Sequence, residues 1–103
     1  MSAKLFLITR GDLSPGQQAV QAAHALQEYN VLFPERAKSW HSGSNTLVLL
    51  QVLDEEALFV LATKMSHLEI ATFREPDRSQ ELTAIAVGPE AARLVKRLPL
   101  ALT

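Results

Sequence analysis

Gln17, Gln21, His24 and Glu28 follow one another at three- and four-residue spacing, which puts all four on one side of a helix. Imidazole is the side chain suited to proton transfer in both directions near neutral pH. Glu28 is placed to orient His24, and Gln21 to hold a substrate carbonyl or a base. The plainer reading is a helix histidine bonded to a neighbouring loop, and the residues taken alone favour it. His24 and Glu28 also have the spacing of two metal ligands. No motif marks a third, so no metal site is expected.

Two further groups of residues offer chemistry. Arg10 ends an apolar run and is followed by Gly11, Asp12 and Leu13. Sites in open α/β sheets gather beyond the carboxyl ends of strands. A guanidinium there, next to the amide-rich start of a helix, suits a phosphate or a developing oxyanion. The alternative is an Arg10–Asp12 pair in a surface turn. The second group is the charged stretch from Arg74 to Glu81. It brings Glu75, Asp77, Arg78 and Ser79 together after an apolar strand. Glu75 at the strand's end is fixed by the sheet, which favours a catalytic carboxylate; the competing reading is a solvated hairpin tip. Ser79 has no G-x-S-x-G context, so serine-hydrolase chemistry is not indicated.

The elements that must position these groups are legible from patterning. Lys4 to Thr9 is nearly continuously apolar, the mark of a strand covered on both faces. Ser14, Pro15 and Gln17 announce a helix through a cap, a first-turn proline and a capping box. This helix is predicted to reach Tyr29 or Asn30. Its core face is assigned to Ala19, Ala22, Ala23, Ala25, Leu26 and Tyr29, opposite Gln17, Gln21, His24 and Glu28. A short helix is expected over Pro34 to Ser39, a loop over Trp40 to Asn45, and a strand over Thr46 to Leu53. Asp54 caps a third helix that ends near Ser66 or His67, with Glu55 and Glu56 suiting its N-terminal dipole. Leu68 to Phe73 and Leu82 to Val87 read as strands. Gly88-Pro89 opens a last helix through about Leu98, stopped by Pro99. The order β-α-(α)-β-α-β-β-α predicts a three-layer α/β/α domain over residues 1–103 with a four-stranded mixed sheet. The short link between the last two strands makes them antiparallel.

Composition narrows the classes. At 103 residues, 48 % apolar and 20 % charged, the chain is of normal size and makeup for one globular domain. It has no cysteine, which removes thiolate catalysis, disulfides and sulfur-bound zinc. No signal peptide or membrane span is read, and a cytoplasmic address is expected. A net charge of −1 means any contact with RNA must use a local basic patch.

Several of these residues together resemble a known family. Leu7-Ile8-Thr9-Arg10-Gly11-Asp12-Leu13, Gly16, Ala19 and Gln21-Ala22-Ala23-His24-Ala25 are similar to the opening of the archaeal/eukaryotic-type peptidyl-tRNA hydrolases. Those proteins carry Arg-x-Asp-Leu, then Gly-Lys, then Ala-Ala-Gln-x-x-His-Ala. Asp54 to Leu58 resembles the family's acidic helix start, and Thr83 to Pro89 its closing strand and Gly-Pro. Glu75-Pro76-Asp77-Arg78-Ser79-Gln80 stands where the family has Asp-Ala-Gly-Arg-Thr-Gln. A divergent subgroup with Glu-Pro in that place is the nearer match. Here Gln17 replaces the family lysine, Glu75 its aspartate and Ser79 its threonine. The resemblance implies hydrolysis of the ester between a peptide and the 3′ ribose of tRNA, with no cofactor and no metal. It implies tRNA as partner, no membrane, and a homodimer. It makes His24, Glu75 and Ser79 the catalytic candidates, and Arg10, Asp12, Gln17, Gln21 and Arg78 the substrate-binding ones. The alternative function is a catalytically impaired RNA- or nucleotide-binding module of the same fold.

Overall fold

The computed structural model of the chain describes residues 3–102; Met1, Ser2 and Thr103 lie outside it, as do the ends of the domain expected over 1–103. Four strands form one sheet in the order β2-β1-β4-β3: β1 Lys4–Arg10, β2 Thr46–Val52, β3 Ile70–Glu75 and β4 Glu81–Val87. β1 pairs parallel with β2 and antiparallel with β4, and β4 pairs antiparallel with β3. The sheet is mixed, as the short β3–β4 link implies.

α1 (Pro15–Leu32) and α2 (Pro34–Ser42) cover one face, where Ala22, Ala25 and Tyr29 meet Leu5, Leu7, Ala71, Ala84 and Ala86. Alanines on both sides bring helix and sheet backbones close. α3 (Glu55–Lys64) and the four-residue α4 (Ala92–Val95) cover the other, over Phe6, Ile8, Ile85 and Val87. The alternation of β1 side chains between two cores is why its sequence is apolar without a break.

Local chemistry explains most of the boundaries. The Ser14 hydroxyl accepts from the Gln17 N–H at 3.3 Å and starts α1. The expected reciprocal half of the capping box does not form, because the Gln17 amide bonds Gln21 instead. α1 ends at Leu32, two residues later than expected, because Pro34 bars helical geometry only at Phe33. α2 runs on to Ser42, so Trp40 and His41 are helical rather than in a loop. The Trp40 indole N–H donates to the Thr46 carbonyl at 2.7 Å while its ring packs on the α1-side core.

The α1 core face also departs from expectation. Ala19 and Ala23 are exposed, whereas Gln18 and Gln21 are buried. The helix therefore turns a polar stripe toward the end of the sheet. The predicted last helix shrinks to a 3-10 turn, Pro89–Ala91, and α4; residues 99–101 instead lie along the outer edge of β2, with Gln51 N–H donating to the Pro99 carbonyl and Ala101 N–H to that of Leu49, each at 3.0 Å. That tail covers an edge strand that would otherwise present unpaired backbone groups.

Candidate active site

The site is built where the α1 stripe meets the ends of β3 and β4. Along β3, Ala71, Phe73 and Glu75 alternate onto the α1 side. The His24 ring lies flat on Phe73, with centroids 4.3 Å apart and planes 8° from parallel. One imidazole face is thus covered, and among the described residues no hydrogen bond engages its ring nitrogens. Glu28 makes no bond to it.

One turn before His24, the buried Gln21 amide donates from Nε2 to Glu75 Oε2 at 2.8 Å and to Gln17 Oε1 at 3.1 Å. Its Oε1 accepts from the Thr83 hydroxyl at 2.7 Å. The other carboxylate oxygen of Glu75 accepts from the Asp77 N–H at 3.2 Å, which caps the 3-10 turn Pro76–Arg78. The Gln21 amide first, and then the Asp77 N–H, hold the Glu75 carboxyl below the usual carboxylate range. Beyond the turn, Ser79 and Gln80 both adopt left-handed backbone, at φ 57° and 64°. The Ser79 hydroxyl is exposed and bonds no other described residue.

Arg10 does something different from what its position suggests. It is the last residue of β1, buried at 5 % exposure, and its guanidinium is committed within the fold. Nε and Nη2 fork onto the two Asp12 oxygens at 3.0 and 2.8 Å. Nη1 donates to Glu81 Oε1 at 2.7 Å and to the Leu82 carbonyl at 3.2 Å. Bonding to Asp12, and then to Glu81, raises the Arg10 pKa against the opposing effect of burial. Asp12 and Glu81 are pushed below the usual carboxylate range, chiefly by the Arg10 hydrogen bonds. Arg78 reaches Glu81 at 3.4 Å on the exposed side. The start of α1 is also largely satisfied. Pro15 has no N–H, Gln17 N–H is taken by the Ser14 hydroxyl and Gln18 N–H by the Ser14 carbonyl at 2.8 Å.

The candidate residues therefore fall into two groups. Gln17, Gln21, His24 and Glu75 come together; Arg10, Asp12 and Arg78 join through Glu81; Ser79 stands in the connecting turn. Sequence reasoning passed over Phe73 and Thr83, and took Glu81 only as the end of the charged stretch. Thr83 was detectable as the one polar residue between Leu82 and Val87, where the pattern was otherwise apolar. A groove of about 780 Å³, lined by Tyr29, Arg36 and Trp40, includes none of these groups and lies at the opposite end of β1. No three His, Asp or Glu side chains among the described residues are arranged to hold a metal ion.

A mixed four-stranded sheet between two helical layers is an α/β architecture shared with a solved structure. That structure is of a protein of unknown function from Agrobacterium tumefaciens strain C58. It is 14 % identical, with a TM-score of 0.69 over 97 % of this chain and 98 % of that one. No curated protein shows significant similarity to the chain. The family model described as peptidyl-tRNA hydrolase PTH2 matches residues 3–102, and the chain belongs to that hydrolase family.

Proposed function

We propose that the chain hydrolyses the ester joining a peptide to the 3′ ribose of tRNA, at the cluster of Gln21, His24 and Glu75. The observation that carries this reading is the Glu75 carboxylate, fixed as an anion by the Gln21 amide and the Asp77 N–H, with the unengaged nitrogens of His24 beside it. A carboxylate held below its ordinary range is a weak base and a firm hydrogen-bond acceptor. Glu75 thus orients the attacking water and steadies the imidazolium, and His24 takes the proton. The water oxygen bonds to the ester carbonyl carbon, and charge gathers on the carbonyl oxygen. Ser79, free in the adjoining turn, donates to that oxygen. The bond to the ribose 3′ oxygen then breaks and His24 returns the proton to it. The products are a peptide acid and tRNA with a free 3′ hydroxyl.

The cations available for tRNA phosphates are Arg74 and Arg78 on the exposed hairpin. Arg10 and Asp12 serve by fixing β1 to β4 beneath it, and Gln17 by bracing Gln21. The same reading places the protein in the cytoplasm with translation. It also includes a homodimer, for which Phe59 and Val60 of α3, exposed by 55 % and 46 %, offer apolar surface.

One feature favours the second reading, binding without turnover. A neutral Gln17 stands where the resemblance expects lysine, and it is spent on Gln21. The experiment mixes excess protein with an N-acetyl-aminoacyl-tRNA labelled in its amino acid. The expected result is acid-soluble N-acetyl-amino acid together with full-length tRNA. Bound but uncleaved tRNA, released by salt, would replace the hydrolase with the binding module.

A further inference from the structure

We infer that Thr83 is a positioning residue for this site: its hydroxyl donates to the oxygen of the buried Gln21 amide and so holds that amide with an N–H turned toward Glu75. The inference rests on the hydrolase reading above and extends it to a residue that touches no substrate.

The two ends of a glutamine amide are nearly the same shape and opposite in hydrogen-bonding character. Gln21 is 1 % exposed, so water cannot correct a wrong orientation. In the observed orientation both amide hydrogens are used, on Glu75 and Gln17, and the oxygen accepts from Thr83. The reversed amide would set its oxygen against a carboxylate that can only accept. Thr83 is itself fully buried, and its hydroxyl proton has two acceptors in reach: Gln21 Oε1 at 2.7 Å and the Phe73 carbonyl at 3.3 Å. The shorter bond points the hydroxyl at Gln21.

The backbone is shaped to make this contact. Phe73 pairs with Ala84, but Arg74 pairs with Leu82, so Thr83 is an extra residue in β4. In regular alternation Thr83 would follow Ile85 and Val87 to the α3 side. The bulge lets Thr83 and Ala84 both face α1 and drops Leu82 into the opposite core. The Thr83 carbonyl accepts from the Thr9 hydroxyl of β1 at 3.0 Å. A bulge beside a site that re-aims one side chain is a common use of the device.

The test compares Thr83→Val, which keeps the shape and removes the hydroxyl, with Thr83→Ser, which keeps the hydroxyl. Two quantities are read: KM and kcat for peptide release under multiple turnover, and the NMR titration of the Glu75 carboxyl carbon. The charged groups facing Glu75 are His24 on α1 and Arg78 in the turn, and both are unchanged in either variant. Thr83→Val is expected to lower kcat by roughly tenfold with KM unchanged. It should also move the Glu75 titration up toward the ordinary carboxylate range, and Thr83→Ser should restore both. A Thr83→Val protein with the wild-type rate and titration overturns the inference. So does a Thr83→Ser protein as impaired as Thr83→Val, which would assign the role to the methyl group. Should Thr83→Val fail to fold, Thr83→Ala against Thr83→Ser carries the same comparison. If the wild type releases no peptide, the hydrolase reading fails by itself, while the Glu75 titration still decides whether Thr83 holds the carboxylate.

Discussion

Arg10 and Glu75 show how a charged residue's partners decide its work. Both stand at strand ends, and both are charges held by hydrogen bonds. The partners of Arg10 are carboxylates of the chain itself, so its charge is neutralised inside the fold. Those of Glu75 are neutral N–H groups, so its charge remains available to a substrate. Arg10→Met should therefore lower the Tm by several degrees, since it removes the Arg10 hydrogen bonds to Asp12, Glu81 and the Leu82 carbonyl and leaves Glu81 with Arg78 alone. Its effect on tRNA affinity should follow the loss of folded protein. Thermal unfolding alongside a binding isotherm separates the two, and a variant of unchanged Tm with weakened binding would return Arg10 to the phosphate. The sequence singled out Arg10, Asp12, Gln21, His24 and Glu75, and the structure joins Gln21 to Glu75 and Arg10 to Asp12 by hydrogen bonds. What the sequence could not supply was their pairing: the partner of Arg10 on β4 is 71 residues away, and no local spacing encodes that contact.

At the scale of elements, the hairpin from β3 to β4 carries most of what is particular to this site. Its turn places two successive non-glycine residues in left-handed backbone, a conformation costing about 1 kcal/mol or more per residue. Gln80 bonds there through its backbone, accepting from Arg74 and donating to the Glu75 carbonyl. Gln80→Gly should therefore stabilise the protein by about 0.5–1 kcal/mol, read as a raised urea midpoint with unchanged slope. An unchanged or lowered midpoint would mean that the Gln80 side chain does more than follow the turn. The strands and first helix were readable in advance because apolar runs, a serine cap and prolines act locally. The bulge at Thr83 was not, since a one-residue slip in pairing depends on which partner strand is present. The burial of Gln21 was hidden for the same reason: the alanine-rich pattern of α1 left its rotation about the sheet undetermined.

For the whole molecule, electrostatics make two predictions. Asp12, Glu75 and Glu81 all have folded-state pKa values depressed by their donors. Each stabilises the fold fully above its unfolded value, near pH 4, and loses that contribution as pH falls through the lower folded value. Stability should thus be insensitive to these groups above about pH 5 and decline below about pH 4. Urea midpoints across that range check it, and a midpoint that rises on acidification would contradict it. The second concerns tRNA. With a net charge of −1 and two exposed arginines beside the site, few phosphates can be neutralised. Two contacts to single-stranded RNA give a slope of about −1.4 for log K against log salt. A much steeper slope would require a basic surface elsewhere, such as Arg93, Lys96 and Arg97 near α4.

In the proposed reaction Glu75, held as an anion by Gln21, orients water for ester hydrolysis. That role is tested most directly by single-turnover peptide release from peptidyl-tRNA with wild type and Glu75→Gln, which keeps the shape and removes the charge. Release by the wild type is expected, with a rate lower by roughly a hundredfold or more in the variant and tRNA binding retained. Equal rates in the two proteins would contradict it.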